Sequence, residues 1–169
     1  MTTLTVGLTE HGLLVSSPIE IQQSWIDYND HLNMAFYNVI FDRAFDETLA
    51  TIGLGPEDVK ATGFSYVALE AHICYLREVF RTDPVRVFIR VLDVDAKRVH
   101  LYSEMRHATD DWVAATSEWM FLCVDLAARR SAPWRAAPLA RLETLKAAAD
   151  TQPWPERAGR RIKIPPKSA

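Results

Sequence analysis

The sequence predicts an α+β fold in which one long buried helix lies along an antiparallel sheet of five or six strands. Three observations carry this prediction: a strand-like run precedes the helix, the helix is apolar on more than one side, and long runs of two-residue periodicity follow it. With 169 residues, 49% of them hydrophobic, the chain has the size and composition of one globular domain. We therefore expect one domain at residues 1–150 and a basic, proline-rich tail at 151–169.

The first two elements are a strand and the long helix. Residues 18–26 (PIEIQQSWI) predict the strand, and the polar residues 27–31 end it. The helix is expected to begin after Asn33, a favourable N-cap residue, and to end at Gly53, because no Gly or Pro lies between them. Its apolar residues recur with helical period and cover much more than a narrow stripe, which indicates a largely buried helix. Residues 53–63 are expected to form a loop.

Alternating apolar and polar residues mark the strands after the helix. Residues 85–94 and 98–106 alternate with a period of two, and the turn between them predicts a hairpin. Further strands are expected at 64–80 and 112–126, and a terminal helix at 137–150. A helix of about 20 residues and a strand of about ten residues are both about 30 Å long, so the long helix can lie along the sheet.

The predicted sheet is too wide for one helix to cover. A helix is about 10 Å wide, whereas five strands at a spacing of about 4.8 Å form a sheet more than twice that width. The uncovered area and the unpaired edge of the sheet need a partner, and a second copy of the chain is the simplest one. We therefore expect a homodimer, with the pairing of two dimers into a tetramer as an open alternative.

Charge and composition argue against several classes of function. The net charge of −3 gives no overall attraction to polyanions, so no nucleic-acid partner is expected. The N-terminal residues lack the features of a signal peptide and no apolar run is long enough to span a membrane, which predicts a cytoplasmic protein without a membrane partner. Five histidines and two cysteines show no metal-ligand spacing, so no metal is expected.

The stretch DYNDHLNMAFYN at residues 27–38 is the candidate site. The start of a long helix presents unpaired backbone N–H groups, which can hold a carbonyl oxygen as it becomes an oxyanion. A carboxylate across from that oxygen can activate water or attack the carbon itself. An ordinary capped helix start explains the same residues, and their spacing alone leaves the two interpretations open.

The same stretch resembles a known active-site signature. Residues 27–34, followed by AFYNVIFDRA, are similar to the signature of hotdog-fold acyl-CoA thioesterases of the 4-hydroxybenzoyl-CoA thioesterase type, although Asp30 stands where glycine is usual. A later segment resembles the paired strands of that family, with Tyr75 and Asp83 matching and Thr82 in place of glycine. The resemblance implies one helix wrapped by an antiparallel sheet, active sites at a dimer interface, and hydrolysis of an acyl-CoA substrate without a metal or bound cofactor.

The resemblance also implies roles for individual residues. Asp27 takes the place of the catalytic carboxylate, as nucleophile or general base. The helix-start amides around Asn33 and Met34 take the oxyanion role, and His31 helps to shape the junction. Glu70 resembles a position that some members use near the thioester, with an ordinary strand-edge carboxylate as the alternative.

A closer resemblance is to the thioesterases of carnitine breakdown, which act on betainyl-CoA. It is carried by DYNDHLNMAFYNVIFDRAFDE, DAKRVH, EMRHA, WVAATSE and AARRSAP. A trimethylammonium acyl group needs an aromatic or acidic pocket, because cations are attracted to aromatic faces. The candidate substrate-binding residues are therefore Tyr28, Tyr37 and Tyr66, together with His31 and Glu70. Trp25, Phe36 and Phe64 are further aromatic candidates, and all of these rings are also explained by core packing.

Two other functions and one binding role for the tail stay open. A non-catalytic acyl-CoA-binding protein, or a hotdog hydratase or dehydratase, has the same predicted fold. The basic side chains of the tail suit the phosphates of CoA, and a solvated tail explains them equally well. These side chains are Arg157, Arg160, Arg161 and Lys163, and Trp154 is expected to hold the tail against the body.

Overall fold

The computed structural model describes residues 7–9 and 11–164, and within these residues the chain forms seven strands and three α-helices. None of the described helices is long and apolar enough to cross a membrane. In chain order the elements are β1 (Gly7–Leu8), β2 (Leu14–Val15), α1 (Met34–Ala50), α2 (Pro56–Thr62), β3 (Phe64–Tyr75), β4 (Val85–Val94), β5 (Arg98–His107), β6 (Val113–Asp125), β7 (Arg130–Ser131) and α3 (Ala136–Ala149).

The strands form one antiparallel sheet in the order β1-β2-β4-β5-β6-β3, and β7 pairs with β6. Four long strands, β3 to β6, make most of the sheet, and the two-residue strands β1, β2 and β7 extend it. Among the described residues β3 pairs only with β6, so the outer edge of β3 is open. The predicted α+β class and antiparallel sheet are confirmed.

The helix α1 packs against the inner face of the sheet. Phe45 contacts the rings of Trp119 and Phe121 edge-to-face, with centroids 5.6 and 5.3 Å away. Phe41 and Leu49 of the same helix are also buried in the core. Full burial of one such side chain contributes roughly 1.5–3 kcal/mol, so the apolar residues spaced along α1 fix its position on the sheet.

Local capping explains where α1 begins and ends. The Asn33 side chain accepts a hydrogen bond from the Ala35 N–H at 3.0 Å, which is the N-cap contact expected from the sequence. The helix ends at Ala50, and Gly53 then adopts a φ of +79°, which L side chains disfavour. The predicted long helix is confirmed, but the prediction that it is largely buried is wrong within the single chain, because one face is exposed at Asp42, Arg43 and Asp46.

Two of the predicted segments differ from the structure. Residues 18–26 are not a strand: only Ile19 bridges β4, at its first residue Val85, so the chain after Ile19 runs past the end of β4, and 23–25 form a short 3-10 turn. The predicted loop at 53–63 contains α2, which begins with Pro56 and is capped by the Asp58 carboxylate accepting from Gly55 N–H at 3.1 Å.

The predicted strand at 64–80 ends at Tyr75 in the structure. The Leu76 and Arg77 N–H groups both donate to the Ala114 carbonyl oxygen, so the chain leaves the ladder with β6. Three residues later the Val79 carbonyl accepts from Leu32 N–H at 2.7 Å. The segment 76–80 therefore lies beside the start of α1, where it forms one wall of the candidate site.

The described part of the tail, residues 151–164, lies on the outer face of the sheet. The Arg90 guanidinium donates to the carbonyl oxygens of Ala149, Gln152 and Pro153. Trp154 was expected to hold the tail, but its side chain is 59% exposed, so the expectation is wrong and Arg90 has that role. Residues 165–169 of the predicted tail lie outside the described residues.

Candidate active site

Residues 27–33 form a tight turn between the 3-10 turn and α1. The Asp27 N–H donates to the His31 carbonyl oxygen at 3.0 Å, and the Asp27 Oδ1 accepts from Asn29 N–H at 2.8 Å. Asp30 adopts a φ of +65°, the left-handed conformation that glycine adopts most easily. The residue that departs from the family pattern therefore keeps the backbone conformation of a glycine, and the turn is retained.

The Asp27 carboxylate lines a cavity of about 440 Å³ at the start of α1. Its side chain is 14% exposed, so the carboxylate is largely shielded from bulk solvent. Oδ2 of this carboxylate accepts no hydrogen bond within the described residues. Six of the eight predicted site residues line this cavity, namely Asp27, Tyr28, His31, Asn33, Met34 and Tyr37.

The backbone amides at the helix start are not all available to a ligand. The Asn33 N–H donates to the Trp25 carbonyl at 2.9 Å, so the expectation that it is an oxyanion donor is wrong. The second and third helical amides are also occupied, since Ala35 N–H donates to the Asn33 side chain and Phe36 N–H to the Asn33 carbonyl. Within the described residues the Met34 N–H has no acceptor, so it is the amide that can hold a developing oxyanion.

An imidazole stands between two carboxylates in this cavity. His31 Nδ1 lies 3.8 Å from Asp27 Oδ1, and its Nε2 lies 3.8 Å from Glu78 Oε1. Both distances are longer than a hydrogen bond, so the imidazole lies near both carboxylates without a direct hydrogen bond to either. Glu78 was not among the predicted site residues, and its carboxylate adds a second negative group to the cavity wall.

Two tyrosine rings form an aromatic corner in the same cavity. Tyr37 on α1 and Tyr75 at the end of β3 have ring centroids 5.1 Å apart and planes at 86°. Burial raises the pKa of Tyr37 to about 12, and the negative charges of Glu78 and Asp27 act in the same direction. The Tyr37 hydroxyl therefore stays protonated at neutral pH, and it donates to the Arg77 carbonyl at 3.4 Å.

Two predicted site residues lie away from the cavity within one chain. Tyr66 is on the inner face of the sheet, where its ring contacts Phe121 at 5.2 Å, and burial raises its pKa. Glu70 pairs opposite Met120 on the outer face and lines a different cleft. Of the other aromatic candidates, Trp25 stacks on Phe36 at 5.6 Å instead of lining the cavity, and Phe64 packs against the core.

One bulge in β3 explains why Tyr75 lines the cavity although it was not predicted to, and why Glu70 lies outside it. The pairing with β6 shifts between Ala68 and Glu70, so the residues that face α1 change from even to odd numbers. Strict alternation from Tyr66 places Glu70 inside and Tyr75 outside, whereas the bulge reverses both. No local sequence signal marks this shift. The break in alternation after Tyr75 is the one signal that draws attention to residues 76–78.

A long helix packed on an antiparallel sheet, with a carboxylate-lined cavity at the N-terminus of that helix, defines a hotdog-fold protein with a candidate hydrolytic site. Comparison with known families agrees with this geometry. The chain belongs to the thioesterase-like superfamily, whose family model matches residues 21–144.

Two relatives of this chain agree with the family assignment. The chain is 38% identical to the betainyl-CoA thioesterase of Pseudomonas aeruginosa, over 91% of this chain and 97% of that protein. It is 32% identical to an L-carnitine dehydrogenase/betainyl-CoA thioesterase of Rhizobium meliloti, over 92% of this chain but only 32% of that longer protein.

Solved structures are similar over most of the chain. A putative thioesterase from Pseudomonas putida is 38% identical with a TM-score of 0.78, and covers 90% of this chain and 97% of its own. A Staphylococcus aureus protein solved in complex with CoA is 26% identical with a TM-score of 0.83, and covers 97% of this chain and all of its own. The predicted hotdog fold and thioesterase class are confirmed, and the roles of individual residues stay predictions.

Proposed function

We propose that this thioesterase hydrolyses betainyl-CoA to betaine and CoA at the cavity in front of α1. The observation that carries the site is the Asp27 carboxylate lining the same cavity as the unoccupied Met34 N–H. The substrate is supported by the betainyl-CoA thioesterase of Pseudomonas aeruginosa, which matches nearly the whole chain. The acyl-CoA class is supported by the related Staphylococcus aureus structure, which was determined in complex with CoA.

In the proposed reaction the thioester carbonyl oxygen accepts a hydrogen bond from Met34 N–H. The positive end of the α1 dipole adds to this stabilisation as negative charge develops on that oxygen. Asp27 acts either by removing a proton from an attacking water or by attacking the carbonyl carbon to give an anhydride that water then hydrolyses. In both routes the C–S bond breaks, and the CoA thiolate leaves and takes up a proton.

We also propose that the protein is a homodimer joined along β3. The outer edge of this strand is open among the described residues, and Val67 and Leu69 on it are 42% and 55% exposed. An open edge with exposed apolar side chains favours pairing with a second chain. Sedimentation velocity measures the oligomeric state directly, and a monomer at micromolar concentration would contradict the proposal. Further pairing into a tetramer and a cytoplasmic location stay predictions.

The test of the proposed function is free-thiol release from a panel of betainyl, short-chain, branched and aromatic thioesters of CoA. We expect betainyl-CoA to be the best substrate, and Asp27→Asn to lower kcat at least a hundredfold while the fold is kept.

Asp30→Asn is the matched control. It removes a carboxylate from the same turn, but asparagine tolerates the left-handed conformation of that position. Full activity in Asp27→Asn, or no release above that in buffer for any thioester, would contradict the proposed function.

A further inference from the structure

The cationic nitrogen of a betainyl thioester lies close to the scissile bond. One methylene separates the nitrogen from the carbonyl carbon, and bonds of about 1.5 Å place these two atoms about 2.5 Å apart. A carboxylate that attacks this carbon or positions a water for the attack must also lie close to it. The groups that recognise the cation must therefore be among the few side chains that line the same cavity as Asp27.

We infer that Glu78 is a specificity-determining residue for a cationic acyl group, an inference that rests on the proposed thioesterase function. Its carboxylate forms part of the cavity wall, 3.8 Å from the imidazole that lies 3.8 Å from Asp27 on its other side. Asp27 is committed to the chemistry at the carbonyl carbon. Glu78 is the second carboxylate of this cavity, so it is free to face the quaternary nitrogen.

The surroundings of Glu78 suit a quaternary ammonium group. The perpendicular rings of Tyr37 and Tyr75 line the same cavity and form an aromatic corner. Aromatic faces within about 6 Å of a cation attract it, and a nearby carboxylate adds to that attraction. The quaternary nitrogen has no N–H to donate, so a carboxylate and ring faces are the groups able to distinguish it from a neutral group of the same shape.

Arg77 is the arginine that lines this cavity, and its guanidinium is engaged by an aromatic ring. The Arg77 guanidinium carbon lies over the ring of Trp112, 4.1 Å from its centroid. No ion pair joins Arg77 to Glu78 or Asp27 within the described residues. The Glu78 side chain is 67% exposed in the single chain, so its carboxylate is open to an entering substrate.

The experiment compares betainyl-CoA with 3,3-dimethylbutyryl-CoA, a neutral isostere in which carbon replaces the nitrogen. The quantity measured is the ratio of kcat/KM for the two substrates, because specificity is a difference between two transition-state affinities. We expect the ratio to favour betainyl-CoA in the wild-type enzyme and to fall about tenfold in Glu78→Gln. Glu78→Asp keeps the charge and is expected to retain part of the ratio. Glu143→Gln, on the exposed surface of α3, is the matched control and is expected to leave the ratio unchanged.

A second measurement separates this inference from the proposed function. In an Asp27→Asn background, calorimetric titration compares the affinities for the same two thioesters with and without Glu78→Gln. Loss of the preference for betainyl-CoA on adding Glu78→Gln supports the inference, even if the wild-type enzyme hydrolyses neither thioester and the proposed function fails. An unchanged ratio in both measurements, or an equal loss for both substrates, would overturn the role of Glu78 while leaving thioester hydrolysis intact.

Discussion

Two clefts of this molecule contain the same kinds of side chain and differ in what those side chains are free to do. The helix-start cavity, lined by Asp27, His31 and Glu78, has a volume of about 440 Å³. The outer-face cleft, lined by Glu118 and His100 with Glu70, His72, Gly159 and Arg160, has a volume of about 290 Å³. Both combine carboxylates with imidazoles, so residue type alone does not distinguish them.

The difference lies in the hydrogen-bonding partners of one carboxylate from each cleft, Glu118 and Asp27. In the outer-face cleft Glu118 Oε1 lies 2.7 Å from His100 Nε2, and its Oε2 accepts from Gly159 N–H at 2.8 Å. In the helix-start cavity Asp27 has one oxygen without a donor among the described residues, and it shares the cavity with the open Met34 amide. A carboxylate that already holds two partners stabilises the fold, whereas one with a free oxygen next to an open amide can act on a ligand.

Of the changes that test this contrast between the clefts, removal of the Met34 N–H is expected to have the largest effect, a loss of kcat. Met34 is the first helical residue, a position where proline is well tolerated. A proline also requires the residue before it to be extended, and Asn33 already is, with a φ of −64° and a ψ of 140°. Met34→Pro therefore deletes the N–H with little strain. Loss of one oxyanion donor typically lowers kcat by about 10²–10³, and we expect this range with a nearly unchanged melting temperature.

Met34→Ala is the control for the side chain, because it shortens an exposed residue but keeps the N–H. Its kcat is expected to stay within a few-fold of the wild-type value. If Met34→Pro, folded by circular dichroism, hydrolysed thioesters at the wild-type rate, the helix start would have no part in catalysis and the contrast between the two clefts would disappear.

The next effect belongs to the outer-face cleft and is on stability. Glu118→Ala removes the acceptor of the exposed Gly159 N–H and the partner of His100, a partly buried contact. A partly buried hydrogen bond to a charged group contributes about 1.5–3 kcal/mol and the solvent-exposed Gly159 bond adds little to it, so we expect a loss of about 2 kcal/mol in the free energy of unfolding. Urea titration measures this loss of stability. Faster hydrogen exchange at the Gly159 amide would show that part of the loss is in the tail. A fall in thioester turnover comparable to that of Met34→Pro would show that the two clefts are not functionally distinct.

A smaller effect is expected at the residue that holds the tail. Arg90→Met keeps an apolar stem but loses three donations to the carbonyl oxygens of residues 149, 152 and 153. We expect a loss of about 1–2 kcal/mol in the free energy of unfolding and faster tryptic cleavage after Arg157. Catalytic turnover should change little, since the tail lies on the outer face. Unchanged proteolysis would mean that other contacts hold the tail.

The smallest effect is expected at the left-handed residue in the turn. Asp30→Gly relieves the backbone cost of a positive φ, and the gain is partly offset by the greater freedom of glycine in the unfolded chain. We expect a gain of about 0.5 kcal/mol, whereas Asp30→Ala should lose about 1 kcal/mol because alanine tolerates this region poorly. Thermal denaturation of the two variants measures the difference, and equal melting temperatures would contradict the conformational argument.

Much of the site follows from local sequence. Asn33 predicts the helix start because its side chain can cap an N–H, and the apolar residues after it predict burial whatever they pack against. The cluster from Asp27 to Met34 lies within one turn, so its members stay close in any fold that keeps the cap. Glu78 and Tyr75 escaped prediction as site residues, since the end of β3 and the segment after it lie more than 40 positions from the turn at 27–33.

The sequence by itself determined which segments form the long helix and the long strands and where the turn of the candidate site lies, because capping and periodicity act over a few residues. The tertiary structure alone decided which face each residue of β3 presents, since the bulge between Ala68 and Glu70 depends on pairing with β6. It also decided that segment 76–80 meets the helix start, through the bond from Leu32 N–H to the Val79 carbonyl. Pairing register and long-range contact are properties of two segments together, and neither segment encodes them alone.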